Sequence, residues 1–252
     1  MTSLTSSNSS PSRGVWSSAS PYMAPPVAAA AAIVPAYYDM AAKSAMQKGL
    51  PPPSMTFKAA VKGGLETAPS VGALVGAQMV LQGRVEQGLA KTFPNLFAED
   101  SKASLTLASS ALAGGLSSPF VAVYNGKTMT PPWSVRESLS KFSLKQAGAI
   151  TLQETCFVAG LAAADPVAKQ MKQTLGDNKA VDYLAAASTG ALGSLAGHPG
   201  NTALTRWQNA MAVDSLKTLS LGSLRKARGN AVFAVAYKLG KEALYSTAEG
   251  EN

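Results

Sequence analysis

Cysteine and histidine each occur once in the 252 residues, as Cys156 and His198. A lone cysteine cannot form an internal disulfide, and Cys156 lies in the apolar run Thr155-Cys156-Phe157-Val158, so packing is its expected role. His198 directly precedes Pro199 without a ligand-type companion and reads as structural. A Ser/His/Asp triad, a zinc site or a paired-His helix therefore has almost nothing to be built from. No glycine-rich segment continues into Gly-Lys-Ser/Thr to cradle phosphates either. The sequence predicts no enzyme. Charge is scarce as well: 14% of residues are charged against 46% hydrophobic, a balance that leans toward a buried or lipid-facing structure. Long runs of leucine and isoleucine are absent, and mean hydropathy is only +0.08. Much of the apolar content is Ala and Gly, which score weakly yet dominate where transmembrane helices approach closely. The net charge of +8 is neither gathered in one patch nor interleaved with aromatics, which argues against nucleic acid as a partner.

What is present is periodic. Pro35, Pro119 and Pro199 stand 84 and 80 residues apart, each inside an apolar stretch of small residues. A second series keeps the step: Thr67-Ala68-Pro69-Ser70, Gln146-Ala147-Gly148-Ala149 and Lys226-Ala227-Arg228-Gly229 are separated by 79 and 80 residues. This is a threefold internal repeat. After a Ser/Pro-rich extension over 1–25, with Arg13 but no acid, the repeats occupy 26–102, 103–179 and 180–252. The extension has the composition of an organelle transit segment or of a flexible linker, and it carries Trp16 and Tyr22, residue types common at interfaces.

Six apolar stretches of membrane-spanning scale follow, at 24–47, 68–88, 104–127, 145–164, 181–208 and 227–246. Connectors after the odd stretches carry +3, +3 and +4, including Lys43, Lys58, Arg136, Arg206 and Arg228. Those after the even stretches balance, Arg84, Lys91 and Lys102 opposing Glu86, Glu99 and Asp100, and Lys169, Lys172 and Lys179 opposing Asp165, Asp177 and Asp182. The excess lies on one side of a six-span topology, as the orientation rule for Lys and Arg requires. Small-residue pairs recur in register with the prolines: Gly193 and Gly197 before Pro199, Ala113 and Ser117 before Pro119, with Ala29 and Ile33 in the same places before Pro35 and a further pair at Gly72 and Gly76. The fold class expected is an all-α membrane protein, three bent odd helices alternating with three straighter even ones.

The segment from Pro199 to Gln208 resembles the mitochondrial carrier signature, Pro-x-Asp/Glu-x-x-Lys/Arg-x-Arg/Lys-x-Gln, through Pro199, Arg206 and Gln208. The stretch from Ala231 to Lys241 is similar to that family's even-helix pattern. The resemblance covers residues 26–246 and implies a six-helix barrel in the mitochondrial inner membrane. It also implies an ionic gate at positions two and five after each proline. Here those positions hold Tyr37 and Met40, Val121 and Tyr124, Asn201 and Leu204, so all six charges are missing. A second ring implied on the even helices falls near Met79 and Gln82, Val158 and Leu161, Lys238 and Lys241, where only Lys241 fits. Replacing both partners of a buried ion pair by apolar groups is compatible with folding. Exchange is another matter, because a transport cycle needs two gates of comparable strength. The expectation is a carrier scaffold that no longer transports and serves as an accessory subunit of a larger inner-membrane complex, a respiratory complex or the ATP synthase. Its partners would be membrane lipids and neighbouring subunits, with no cofactor beyond structural lipids such as cardiolipin. The alternative is a solute exchanger with uncharged gates, for which Lys226, Arg228 and Glu154 are the candidate cavity contacts, since intramembrane charge is usually functional.

Overall fold

A computed structural model describes residues 15–97, 102–127, 129 and 131–249, and their regular structure is entirely helical. In chain order the helices are α1 (Val15–Gln47), α2 (Phe57–Thr92), α3 (Lys102–Lys127), α4 (Val135–Ser140), α5 (Leu144–Ala162), α6 (Ala164–Leu175), α7 (Lys179–Ala196), α8 (His198–Gln208), α9 (Leu216–Leu219) and α10 (Ser223–Glu249). Side-chain oxygens set several starts: Thr56, Ser134, Ser143 and Asn178 accept backbone N–H groups in the first turns of α2, α4, α5 and α7.

Three expectations are corrected. The extension is helical from Val15 onward, running through Pro21, Pro25 and Pro26 without a break. Each proline removes a backbone donor, but Gly72 of α2 packs on the Pro26 carbonyl and Gly76 on the Pro26 backbone, and tertiary contact of this kind outweighs local propensity. Residues 1–14, with Arg13, and the side chain of Trp16 lie outside the described residues, as do Glu99 and Asp100. Tyr22 is half-exposed, with the Arg84 guanidinium 5.2 Å from its ring centroid.

The even stretches are not uniformly the straighter ones either. α1 and α3 continue through Pro35 and Pro119, whereas the 181–208 stretch is interrupted at Gly197, which leaves Pro199 in the first turn of α8, where its missing N–H costs nothing. The fourth stretch breaks at Ala163, with 43° between α5 and α6. Pro166 explains it: its ring opposes the carbonyl of Ala162, four residues back.

The third correction concerns the spans. Among the described residues α3 is long and apolar enough to cross a membrane, with mean hydropathy 1.3, and the bent α5 and α6 pair makes a second if it counts as one span. Six were expected. α1, α2 and α10 have the length, at 33, 36 and 27 residues. Their apolar content is diluted by Ala and Gly and interrupted by charged residues, among them Asp39, Lys62, Arg84 and Lys238.

The long helices close a ring: α1 packs on α2, α2 on α3, α3 on α5, α5 on α7, α7 on α10, and α10 back on α1. Neighbours are antiparallel. On the α1/α10 seam Gly222 meets Lys43, Gly229 meets Asp39 and Gly240 meets Ala28, the two numbers running in opposite directions. On the α5/α7 seam Gly160 meets Thr189, Gly193 meets Cys156 and Gly197 meets Gln153. These glycines sit where backbones touch, and a Cβ at Gly197 would lie 2.9 Å from the Gln153 carbonyl oxygen. Buried Ala28, Ala29, Ala32, Ile33, Val71, Val75, Phe233 and Tyr237 form the larger core cluster. Val121, Ala122, Ala149, Ile150 and Leu204 form the smaller one.

α3 turns its small and polar face inward and its large apolar face outward. Ser109, Ser110, Ala113, Gly114, Ser117 and Ser118 are buried, while Leu112, Leu116 and Phe120, four residues apart, are exposed. Leu184, Leu192 and Leu195 of α7 and Leu239 of α10 extend the outward apolar surface.

Gly76→Leu would drive a side chain into the Pro26 backbone, and overpacking of this kind costs about 1–3 kcal/mol or more. The detergent-purified variant should melt well below the parent. Gly83→Ala, on the same helix with open space around it, should melt no lower.

Candidate functional site

The ring encloses a cavity of about 380 Å³ whose wall draws on α1, α2, α3, α5, α8 and α10. Five of the six residues at the implied gate positions line it, Tyr37, Met40, Val121, Tyr124 and Asn201. Leu204 does not; it is buried in the smaller core cluster against Ile150. Lys226, Glu154 and Gln208 line the cavity. Pro35, Pro119, Pro199 and Arg206 are absent from its wall and act through the backbone or from outside.

Across the barrel runs one continuous chain of side-chain hydrogen bonds. Gln78 of α2 donates to Ser117 of α3 and to Glu154 of α5, both at 2.9 Å. The other Glu154 oxygen accepts from Gln153 at 2.6 Å, and Gln153 accepts in turn from the Asn201 amide of α8 at 2.5 Å. The Asn201 carbonyl takes Lys43 of α1 at 3.0 Å and Gln47 at 2.9 Å. Gln47, fully buried, also donates to Thr202 at 2.8 Å and accepts from Thr205 at 3.1 Å. Arg206 closes this end by donating to the Gln47 carbonyl at 3.3 Å and to the Ala212 carbonyl at 2.6 Å. Glu154 thus has an amide donor on each oxygen, which is how a carboxylate is held in a low-dielectric interior.

Where the resemblance implies a ring of ion pairs, Asn201 bridges α1 and α5, while Val121 and Tyr124 bring no charge from α3. Arg228 does not reach the cavity. It forms a forked pair with Asp39 of α1 at 2.6 and 2.7 Å, joined by Arg225 at 3.3 Å, and so clasps α10 to α1. Asp39 is buried.

Toward the opposite end, Lys238 of α10 pairs with Asp165 of α6 at 2.5 Å and with Glu242 at 3.5 Å, and Tyr183 of α7 donates to Glu242 at 3.1 Å. Gln82 donates to Ser109 at 3.0 Å and also bonds Glu86. Of the even-helix ring, Val158 and Leu161 are buried apolar residues, and Lys241 lies 5.7 and 5.9 Å from the ring centroids of Tyr237 and Tyr245. The acid that does pair across this end is Asp165, a turn or two beyond those positions. His198 is buried, its Nε2 2.9 Å from the Leu221 carbonyl and 3.1 Å from Thr202 Oγ1. Among the described residues no cluster of three metal-ligating side chains occurs.

Sequence reasoning passed over Asp39, Lys43, Gln47, Gln78 and Asn230. The rule that singled out Glu154, that ionisable groups inside apolar stretches are rare and usually functional, also marks Asp39 and Lys43. Gln47 follows Lys43 by four residues, on the same helix face. No protein-family model matches this chain, and neither a curated protein nor a solved structure matches it.

Gln47→Ala removes the hub of the α1/α8 bonds, and stranding buried polar partners costs about 1–3 kcal/mol each. Its melting temperature should fall further than that of Tyr22→Phe, which removes a contact at an exposed position.

Proposed function

We propose that the chain is a carrier-like helical barrel of the mitochondrial inner membrane, built from three two-helix repeats, that has lost exchange and serves as a fixed accessory subunit of a larger membrane complex. The outward apolar face of α3, set against an inward face of Ser, Ala and Gly, supports the membrane setting, because in lipid the large apolar groups belong outside and the small ones between helices. The closed antiparallel ring supports the three-pair architecture. The mitochondrial location comes from the resemblance.

The observation that carries the loss of exchange is the chain of hydrogen bonds from Ser117 through Glu154 and Asn201 to Gln47. It joins five helices, running from Ser117 within α3 to Gln47 at the end of α1. A carrier must separate and rejoin its helices at each end in turn, between states of similar free energy. Ion pairs occur at both ends, Asp165 with Lys238 between α6 and α10 and Asp39 with Arg228 between α10 and α1, and beside the second pair Asn201 binds Lys43 and Gln47 where the resemblance implies an acid.

The exchanger reading keeps one specific observation, the cavity with Lys43, Glu154 and Lys226 in its wall. The two are separated by one pair of measurements. In mild-detergent extracts of its native membrane the chain should co-migrate in fixed stoichiometry with a multi-subunit complex, and the purified protein in liposomes should carry no solute flux above empty vesicles. Flux abolished by Lys226→Ala, with the chain running only as a free monomer, overturns the proposal.

A further inference from the structure

Residues 50–56 join α1 to α2 without regular secondary structure, and they contain three consecutive prolines, Pro51, Pro52 and Pro53. A proline ring fixes its own φ near about −65°, and it holds the residue before it in the extended or polyproline region. Leu50, Pro51 and Pro52 each precede a proline, so the local chemistry sets residues 50–53 as one turn of left-handed polyproline helix. This short rod stands clear of the barrel. Leu50 is 57% exposed, Pro51, Pro52 and Ser54 are exposed, and Pro53 and Met55 are half-buried. Among the described residues no hydrogen bond involves residues 51–55, so their carbonyl oxygens are open to an outside donor. Phe57, 86% exposed, and the exposed Lys58 follow at once on the first turn of α2.

Joining two antiparallel helices does not require such a rod. The second odd connector also holds adjacent prolines, Pro131 and Pro132, yet there the Trp133 N–H donates to the Gly126 carbonyl at 3.0 Å and the Lys141 ammonium lies 4.1 Å from the Trp133 ring centroid. Those contacts tie the segment down against α3 and α4. The third odd connector, residues 209–215, has no proline. An untied polyproline turn therefore belongs to the first repeat alone among the described connectors.

We propose that residues 50–53 are a docking ligand for a partner protein, read by an aromatic-lined groove that accepts polyproline backbone, with Lys58 meeting an acid on the groove's rim. Aromatic side chains suit both faces of the rod: flat rings pack on proline rings, and indole N–H or phenol O–H groups donate to the open carbonyls. The rod already has its bound shape, so docking orders little that was free. The proposal rests on the accessory-subunit reading and gives that subunit its point of attachment.

The test compares the full-length parent with a variant carrying Pro51→Ala, Pro52→Ala and Pro53→Ala together, in mild-detergent extracts of the native membrane. Alanine stays apolar but frees the backbone, so the fraction of the variant that co-migrates with the complex should fall about tenfold. Purified in detergent, the variant should melt with the parent, because no hydrogen bond of the barrel is removed. A synthetic peptide of residues 48–58 is the second probe. Added to the extract it should release the parent chain, and the same peptide with its prolines replaced by alanine should need about tenfold more. A photoreactive phenylalanine analogue in place of Leu50 should form its adduct on a Trp or Tyr of one subunit. Undiminished co-migration of the variant, equal competition by the two peptides, no competition by either, or adducts on lipid alone overturns this proposal and leaves the accessory-subunit reading in place. If the variant melts below the parent, the pair of peptides decides. A parent chain that runs only as a free monomer overturns both readings together.

Discussion

A chain of hydrogen-bonded side chains threads the barrel, and the close packing of the helices is what lets its members meet. Ser117, Gln78, Glu154, Gln153, Asn201 and Gln47 lie on five different helices, and each can reach its neighbour only if the helix axes stand close. Close axes demand small residues at the seams, which is where Gly72, Gly76, Gly193 and Gly197 are found. Glycine is a poor helix former, so a chain with so many of them is helical because packing compensates. The amide side chains do the work that charged pairs would do at a lower desolvation cost, and they do it without the long reach or strong distance dependence of ions. The result is a barrel whose middle is stiff.

The helical class and the places of the long helices were legible in the sequence. The six apolar stretches overlap α1, α2, α3, α5, the α7 and α8 pair, and α10, because a run of small apolar residues bounded by charge and turn residues leaves little else to form, whereas α6 falls in what read as a charged connector. Less legible was where helices would break. Pro35 and Pro119 stand in the same register as Pro199 yet leave their helices continuous, while Pro166, outside the repeat series, marks the 43° bend between α5 and α6. A proline only removes one bond and crowds one carbonyl; whether the helix tolerates that depends on neighbours that a single sequence does not display. Hydropathy misled for a related reason. Ala and Gly carry little transfer free energy, so counting apolar letters yields six spans where the hydropathy of α1, α2 and α10 falls short.

At the site, position mattered more than residue type. Counting from the prolines led to Asn201 and Tyr124, which do face the cavity, and also to Leu204, which is packed away from it. Lys226 and Arg228 looked equivalent in the sequence, two basic residues at one helix start. A helix turns about 100° per residue, so residues two apart face nearly opposite ways. One points inward without a partner and the other reaches out to Asp39. The amides went unremarked because Gln and Asn are common and carry no charge to draw the eye, and their roles depend entirely on which helix lies opposite.

The clasp between Asp39 and Arg228 joins the first long helix to the last, with Gly222, Gly229 and Gly240 laid along the same seam. The element that shuts the barrel is therefore the last of the described helices. Until α10 arrives, the earlier helices form an open trough, with the carboxylate of Asp39 and the inner wall uncovered along one edge. Closure of the barrel thus depends on a contact between segments about 190 residues apart in the chain, and a chain cut short before residue 223 would leave the α1 edge of that trough unsealed.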